Sequence, residues 1–120
     1  MKKTILTLIL MCSTLIGAQV EQGKASFYSV KCNGGTHTAS GVRLVDSSMT
    51  AAHRTLPFGT LVKVTNTRNN KSEIVKITNR GPFIRGRIID VTIGVAKKLD
   101  FIKSGITSVK IEVVGKTKIK

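Results

Sequence analysis

"LVKVTNTRNNKSEIVKIT", Leu61 to Thr78, decides how this chain folds. Val62 and Val64 alternate with other residues, as do Val75 and Ile77, so each half presents one apolar face at the two-residue period of a β-strand. Between the halves, Thr67 to Lys71 includes Asn69-Asn70, residues that tolerate a left-handed backbone. The stretch is read as a β-hairpin over Leu61 to Asn66 and Glu73 to Thr78. Downstream, Arg87 to Val91 is a further short strand, Thr92 is placed to cap a helix over Ile93 to Leu99, and Gly105 closes that excursion. "SVKIEVV", Ser108 to Val114, alternates strictly and is read as a half-buried strand. Upstream, Lys24 to Val30 carries Phe27 and Tyr28 and is read as the first strand. Residues 31–60 are dense in Thr, Ser and His and are punctuated by Asn33-Gly34-Gly35, Ser40-Gly41 and Phe58-Gly59, the mark of long ordered loops with short extended pieces. The sum is a small, mostly β domain with one short helix. Period-two runs at this spacing point to a closed barrel, which removes sheet edges.

A chain of 120 residues has room for one domain with one modest core. Residues 1–18 are read as a cleavable signal peptide: Lys2 and Lys3 form a charged start, Thr4 to Ile16 an apolar run, and Ile16-Gly17-Ala18 a small-residue cleavage site. The run is too short to span a membrane comfortably, and no later apolar stretch is longer. The expectation is a mature chain of residues 19–120 exported to the periplasm or cell envelope, without an integral membrane span. A lipid anchor at Cys12 is not expected, because Met11 before it is not small. Cleavage leaves Cys32 as a lone structural cysteine, so the fold must stand on packing rather than on a disulfide.

Lys and Arg number 20 against 6 Asp and Glu, a net charge of +14. The signal segment holds two of those cations, so 14 less 2 leaves +12 on residues 19–120. Such a field attracts polyanions without choosing among nucleic acid, anionic lipid and wall polymer. Export selects envelope polymers bearing phosphate or carboxylate, and nucleic acid is not expected. Two histidines sixteen positions apart and one mature cysteine form no recognised ligand spacing. No phosphate loop, nucleophile elbow or dinucleotide fingerprint is present. Neither a metal nor a cofactor is therefore expected.

Four stretches stand out together: "TASG" at Thr38 to Gly41, "MTAAHRTLPFGTLVKVTN" at Met49 to Asn66, "RGPF" at Arg80 to Phe83, and "GRIIDVT" at Gly86 to Thr92. In this order and spacing they resemble the rare lipoprotein A (RlpA) family, whose fold is the six-stranded double-psi β-barrel shared with expansins. The resemblance runs from Gly23 to Val114. It implies a mostly β barrel with one or two short helices, acting on peptidoglycan as a lytic transglycosylase that prefers peptide-free glycan strands. In that chemistry one carboxyl protonates the glycosidic oxygen. As carboxylate it then takes the proton of the sugar's own C6 hydroxyl, closing a 1,6-anhydro ring. The lactyl carboxylates on such strands also suit a groove lined by Arg54, Arg80, Arg85 and Arg87.

The chain departs from the family at two places. Asn79 stands two positions before the Gly of "RGPF", where the family reads an acid, and Val42 follows "TASG" where the family reads Glu. Asparagine hydrogen-bonds a sugar but delivers no proton at neutral pH. Three outcomes stay open: a non-catalytic, expansin-like glycan-binding module; Asp90, which matches the aspartate of the expansin "FD" motif, as the acid; or Asp46 swinging in from a loop. The catalytic candidates are Asp90 and His53, the latter to orient a carboxylate or donate to a sugar oxygen. Plain alternatives are an ion pair or helix-entry hydrogen bond for Asp90 and a bridge between buried backbone groups for His53. Substrate-binding candidates are Arg54, Arg80, Arg87, Tyr28 and Asn79, with Tyr28 or Phe27 offering a stacking face. Phe58 and Phe83 are expected to be packing anchors, and His37 an ordinary loop residue. A monomer is expected.

Overall fold

A computed structural model of the chain describes residues 19–28 and 37–117. The expected signal segment with Cys12, the expected extension of the first strand to Ser29 and Val30, the expected Asn33-Gly34-Gly35 punctuation, Cys32 and residues 118–120 lie outside the described residues. Six strands are formed: β1 (Val20–Tyr28), β2 (Thr50–Ala52), β3 (Thr60–Asn66), β4 (Lys71–Asn79), β5 (Arg87–Thr92) and β6 (Thr107–Lys116), with one helix, α1 (Ile93–Leu99), between β5 and β6. They close into a barrel in the order β1-β5-β2-β4-β3-β6. β1 pairs with β5 and β2 with β4 in parallel, and the other neighbours are antiparallel. Closure leaves the barrel no free edge.

The β3–β4 hairpin forms as read, from Leu61 opposite Lys76 to Asn66 opposite Lys71. Val62, Val64, Val75 and Ile77 are buried, while Lys63 points to solvent. Asn70 takes the left-handed turn position, at φ 63°. Asn66 is buried and saturated: its amide donates to Leu99 O, and its Oδ1 accepts from Arg68 N and Thr107 Oγ1. One side chain thus ties the hairpin to the end of α1 and the start of β6.

Thr92 caps α1 by accepting from Val95 N, and Asp100 ends it in the left-handed conformation at φ 61°. The helix buries Val95, Ala96 and Leu99 against the barrel, with Phe101 beside them in edge contact with Phe27, ring centroids 5.8 Å apart. β1 begins at Val20, four residues before the apolar alternation, because Val20 to Gly23 pair with β6. That pairing stabilises a polar segment that propensity alone does not mark. β2 has three residues, too few to carry a periodic signal, yet it is clasped between β4 and β5.

Two irregularities set which way the side chains near the ends of β4 and β5 point. Ala51 pairs with Ile77 and Ala52 with Asn79, so Thr78 is an extra residue in β4. Lys24 pairs with Arg87 and Ala25 with Ile89, so Ile88 is an extra residue in β5. Each bulge switches the side-chain parity of its strand. Asn79 therefore leaves the core face of Ile77, and Arg87 shares the outward face of Asp90.

Candidate active site

The paired positions Ser26, Asp90, Ala52 and Asn79 form one row across β1, β5, β2 and β4. Ser26 donates its hydroxyl proton to Asp90 Oδ1 at 3.0 Å. Burial raises the Asp90 pKa above the ordinary carboxylate value, and the Ser26 hydrogen bond and Arg87 charge only partly offset it. Tyr28 lies two residues beyond Ser26 on the same face and is buried. Its phenol is pushed up to about 12, first by burial and then by the negative charge of Asp90. The side chains of Asn79 and Thr50 lie near enough to soften that shift, but neither closes a hydrogen bond, and the Tyr28 hydroxyl has no partner. The Thr78 hydroxyl is the other such buried group among the described residues. Tyr28 thus corrects the expectation of a stacking face: its ring is covered, and what it offers is a neutral donor.

Asn79 is fixed by its oxygen. Oδ1 accepts from Ala39 N at 2.9 Å and Arg80 N at 3.0 Å, which leaves the Nδ2 amide as the donor on the side of Tyr28. The Ala39 bond, with Ser40 N to Thr78 O at 3.1 Å, docks the "TASG" turn on the end of β4. Val42 closes that turn, its carbonyl accepting from the amide and hydroxyl of Thr38. The structure therefore brings the two unusual positions, 42 and 79, into one small unit beside Asp90.

His53 is built differently. Its ring is buried, and Nδ1 accepts from Thr55 N and Leu56 N, both at 3.1 Å. Nε2 must then carry the proton, and it faces Glu21 Oε1 at 3.0 Å. Arg80 completes the arrangement: Nη1 donates to His53 O and Leu56 O, and the guanidinium lies 4.1 Å over the Phe58 ring. Arg80 is thus a clamp on the 53–58 turn and not an extended groove cation. A cleft of about 260 Å³ opens beside His53 and Glu21, walled by Val20, Leu56, Ile111 and Val113. His53 does orient a carboxylate, but that carboxylate is Glu21.

Arg54 and Arg85 are exposed and Arg87 is half-buried. None of the ion pairs among the described residues involves them. Asp46 is exposed, and its carbonyl accepts from Gly94 N at the start of α1; the polar groups acting on Asp90 are Ser26 and Arg87. His37 bridges Arg43 across the loop. Phe58 packs as expected, but Phe83 is 77% exposed and anchors no core. Sequence reasoning missed Ser26 and Glu21. Ser26 was within reach, two residues from Tyr28 on one strand face, whereas nothing local marks Glu21 as the partner of a residue 32 positions away. Among the described residues no helix is long and apolar enough to cross a membrane, and no cluster of His, Cys, Asp or Glu is placed to hold a metal.

Residues 20–111 match the family model described as lytic transglycolase, which is built on this barrel. The chain belongs to the RlpA-like double-psi β-barrel family. A probable endolytic peptidoglycan transglycosylase RlpA of Nostoc sp. is 55% identical over 97 residues, covering 79% of this chain and 26% of that protein. The endolytic peptidoglycan transglycosylase RlpA of Vibrio cholerae is 48% identical over 95 residues, 78% of this chain and 35% of the other. This RlpA-like chain thus spans about a quarter to a third of these relatives' length. Among solved structures, an Asp-to-Asn mutant of a Clavibacter michiganensis expansin in complex with cellohexaose superposes with a TM-score of 0.64 at 18% identity, covering 85% of this chain and 54% of the other. At that identity the likeness establishes the shared barrel.

Proposed function

We propose that this RlpA-like barrel is an exported cell-envelope protein that binds peptide-free peptidoglycan strands and cleaves them without water, leaving 1,6-anhydro ends. Residues 1–18 serve as the leader and residues 19–120 as the working domain, a monomer with no need of nucleic acid, metal or cofactor. The observation that carries the reading is Asp90, a half-buried carboxyl with a raised pKa, held on one oxygen by Ser26 and facing Arg87. A carboxyl whose pKa is raised holds its proton to higher pH than an ordinary carboxylate, and can give it to the glycosidic oxygen as the C1–O bond breaks. The sugar's C6 oxygen then bonds to C1, and its proton passes to the Asp90 carboxylate, restoring the acid. Tyr28 stays protonated throughout and is available to donate a hydrogen bond as charge develops. Arg87 and Arg54 attract the lactyl carboxylates.

A second reading is supported by Asn79. With an amide where the family places an acid, the same row of residues suits an expansin-like module that grips glycan without cutting it, and the expansin in complex with cellohexaose shares this barrel. Incubation with peptide-stripped sacculi separates the two. Cleavage releases fragments ending in anhydro-sugar, seen by mass spectrometry. Absence of such fragments at high protein load, with retained co-sedimentation, leaves the binding module; loss of both overturns the glycan reading.

A further inference from the structure

The fold uses its aromatic residues sparingly, with four Phe, one Tyr and no Trp. Phe27 and Phe101 pack on each other, Phe58 lies under Arg80, and Tyr28 is buried beside Asp90. Phe83 alone faces solvent, at 77% exposure, with Ile84 next to it at 54%. Single exposed apolar residues are ordinary on a protein surface. This pair differs because the loop that carries it is fastened at both ends.

Gly81 and Gly86 take positive φ angles of 123° and 86°, which side chains rarely adopt. Arg87 N donates to Ile84 O at 3.1 Å, closing a turn, and Gly86 O accepts from Lys24 N at 3.0 Å, tying the loop's end to β1. The Phe83 ring rests against Gly81: a methyl group built there would meet ring carbons at 3.6 and 3.8 Å. The ring is therefore held in place by its own loop while most of it stays open.

Cations surround it. Arg85 is exposed on the same turn, and Arg87 follows on β5, two paired positions or roughly 7 Å along the strand from Asp90, since the extra residue Ile88 adds no step. Neither pairs with a carboxylate within ion-pair distance among the described residues. An open aromatic face beside unpaired guanidinium groups matches a pyranose ring, which has an apolar C–H face, carrying a carboxylate close by. Arg87, whose charge acts on Asp90, joins this turn to the Asp90 row along β5, so a polymer with a bond at Asp90 has a path toward the tip. We infer that the Phe83–Arg85 tip is a second glycan subsite flanking the bond at Asp90, in which Phe83 stacks on an N-acetylhexosamine and Arg85 takes a lactyl carboxylate. The inference deepens the glycan reading above and rests on it.

The test measures binding of the full chain, in an Asp90→Asn background so that no strand is cut, to peptide-free peptidoglycan strands, to neutral chitin oligomers and to vesicles of phosphatidylglycerol. Phe83→Ala should weaken binding to both glycans about tenfold, and Phe83→Trp should retain it. Arg85→Ala should weaken only the carboxylate-bearing strands. Equal binding by Phe83→Ala and its parent overturns the subsite while leaving the glycan reading in place. Loss confined to vesicles overturns it in favour of a lipid contact. A parent that binds neither glycan overturns both.

Discussion

Ala52 and His53 are neighbours in the chain, yet they belong to regions built on opposite terms. Around His53 both ring nitrogens have partners, and Arg80 Nη1 donates to two carbonyls. Around Ala52, in the row with Asp90 and Asn79, the Tyr28 hydroxyl is buried without a partner and Asp90 is held on one oxygen. A closed network fixes a turn. An open one leaves capacity for something else to bind, since a buried unsatisfied hydroxyl costs about 1–3 kcal/mol that a ligand can recover. Within the Met49 to Asn66 stretch, "TAAHRTLPFGT" is thus mainly a bracket, and the proposed chemistry falls to scattered single residues.

Substitution in the open region should separate activity from stability. Asp90→Asn is expected to lower release of anhydro-fragments about 100-fold or more, the usual contribution of a general acid. Its stability effect has a definite sign. Folding raises the Asp90 pKa, so the folded state binds this proton more tightly; the group's destabilising contribution is absent below the ordinary value of 3.8 and grows as pH rises through the window above it. Urea melts at stepped pH should show the wild type losing stability relative to Asp90→Asn across that window, and parallel curves would contradict the burial argument.

The closed region should do the reverse. His53→Ala leaves the amides of Thr55 and Leu56 without an acceptor and opens a buried space, for an expected loss of about 2–4 kcal/mol in denaturant titration. An unchanged midpoint would mean that the bracket holds nothing.

Asn79→Asp tests the boundary between the regions. Its Oδ1 can keep both backbone donors, so the "TASG" turn stays docked, while a second carboxyl enters beside Asp90. Cleavage should rise about tenfold or more, and the two acids should titrate as a coupled pair. A pH–rate profile identical to wild type would show that position 79 does not address the substrate. Smallest of all is Tyr28→Phe, which removes an unpartnered hydroxyl. Its stability should shift by less than about 1 kcal/mol, or improve, while glycan turnover falls; a large destabilisation would reveal a partner for that hydroxyl.

Much of the scaffold was legible because it follows local rules. Val62, Val64, Val75 and Ile77 alternate, Asn70 accepts a left-handed turn, and Thr92 caps the helix it precedes. The site was legible by residue but not by arrangement. Simple alternation puts Asn79 on the face of Ile77, inside the barrel; only the extra residue Thr78, a matter of pairing with β2, turns it outward. The polar start of β1 was invisible for the same reason, since its partner is β6 at the far end of the chain. Phe83 escapes a local reading because an aromatic beside Gly-Pro reads as an anchor, whereas its loop is anchored by backbone bonds and leaves the ring outside.

The two bulges also set what kinds of genetic change this domain can absorb. Because the aim of positions 79 and 90 is written into the spacing of the backbone, asparagine and aspartate can replace one another at 79, a single-base exchange, without shifting the frame. A one-residue deletion at Thr78 or Ile88 would instead turn the neighbouring functional side chains through the wall of the barrel. Descent within such a lineage can therefore exchange amide for acid at position 79 in one step, while the length of these two strands stays fixed.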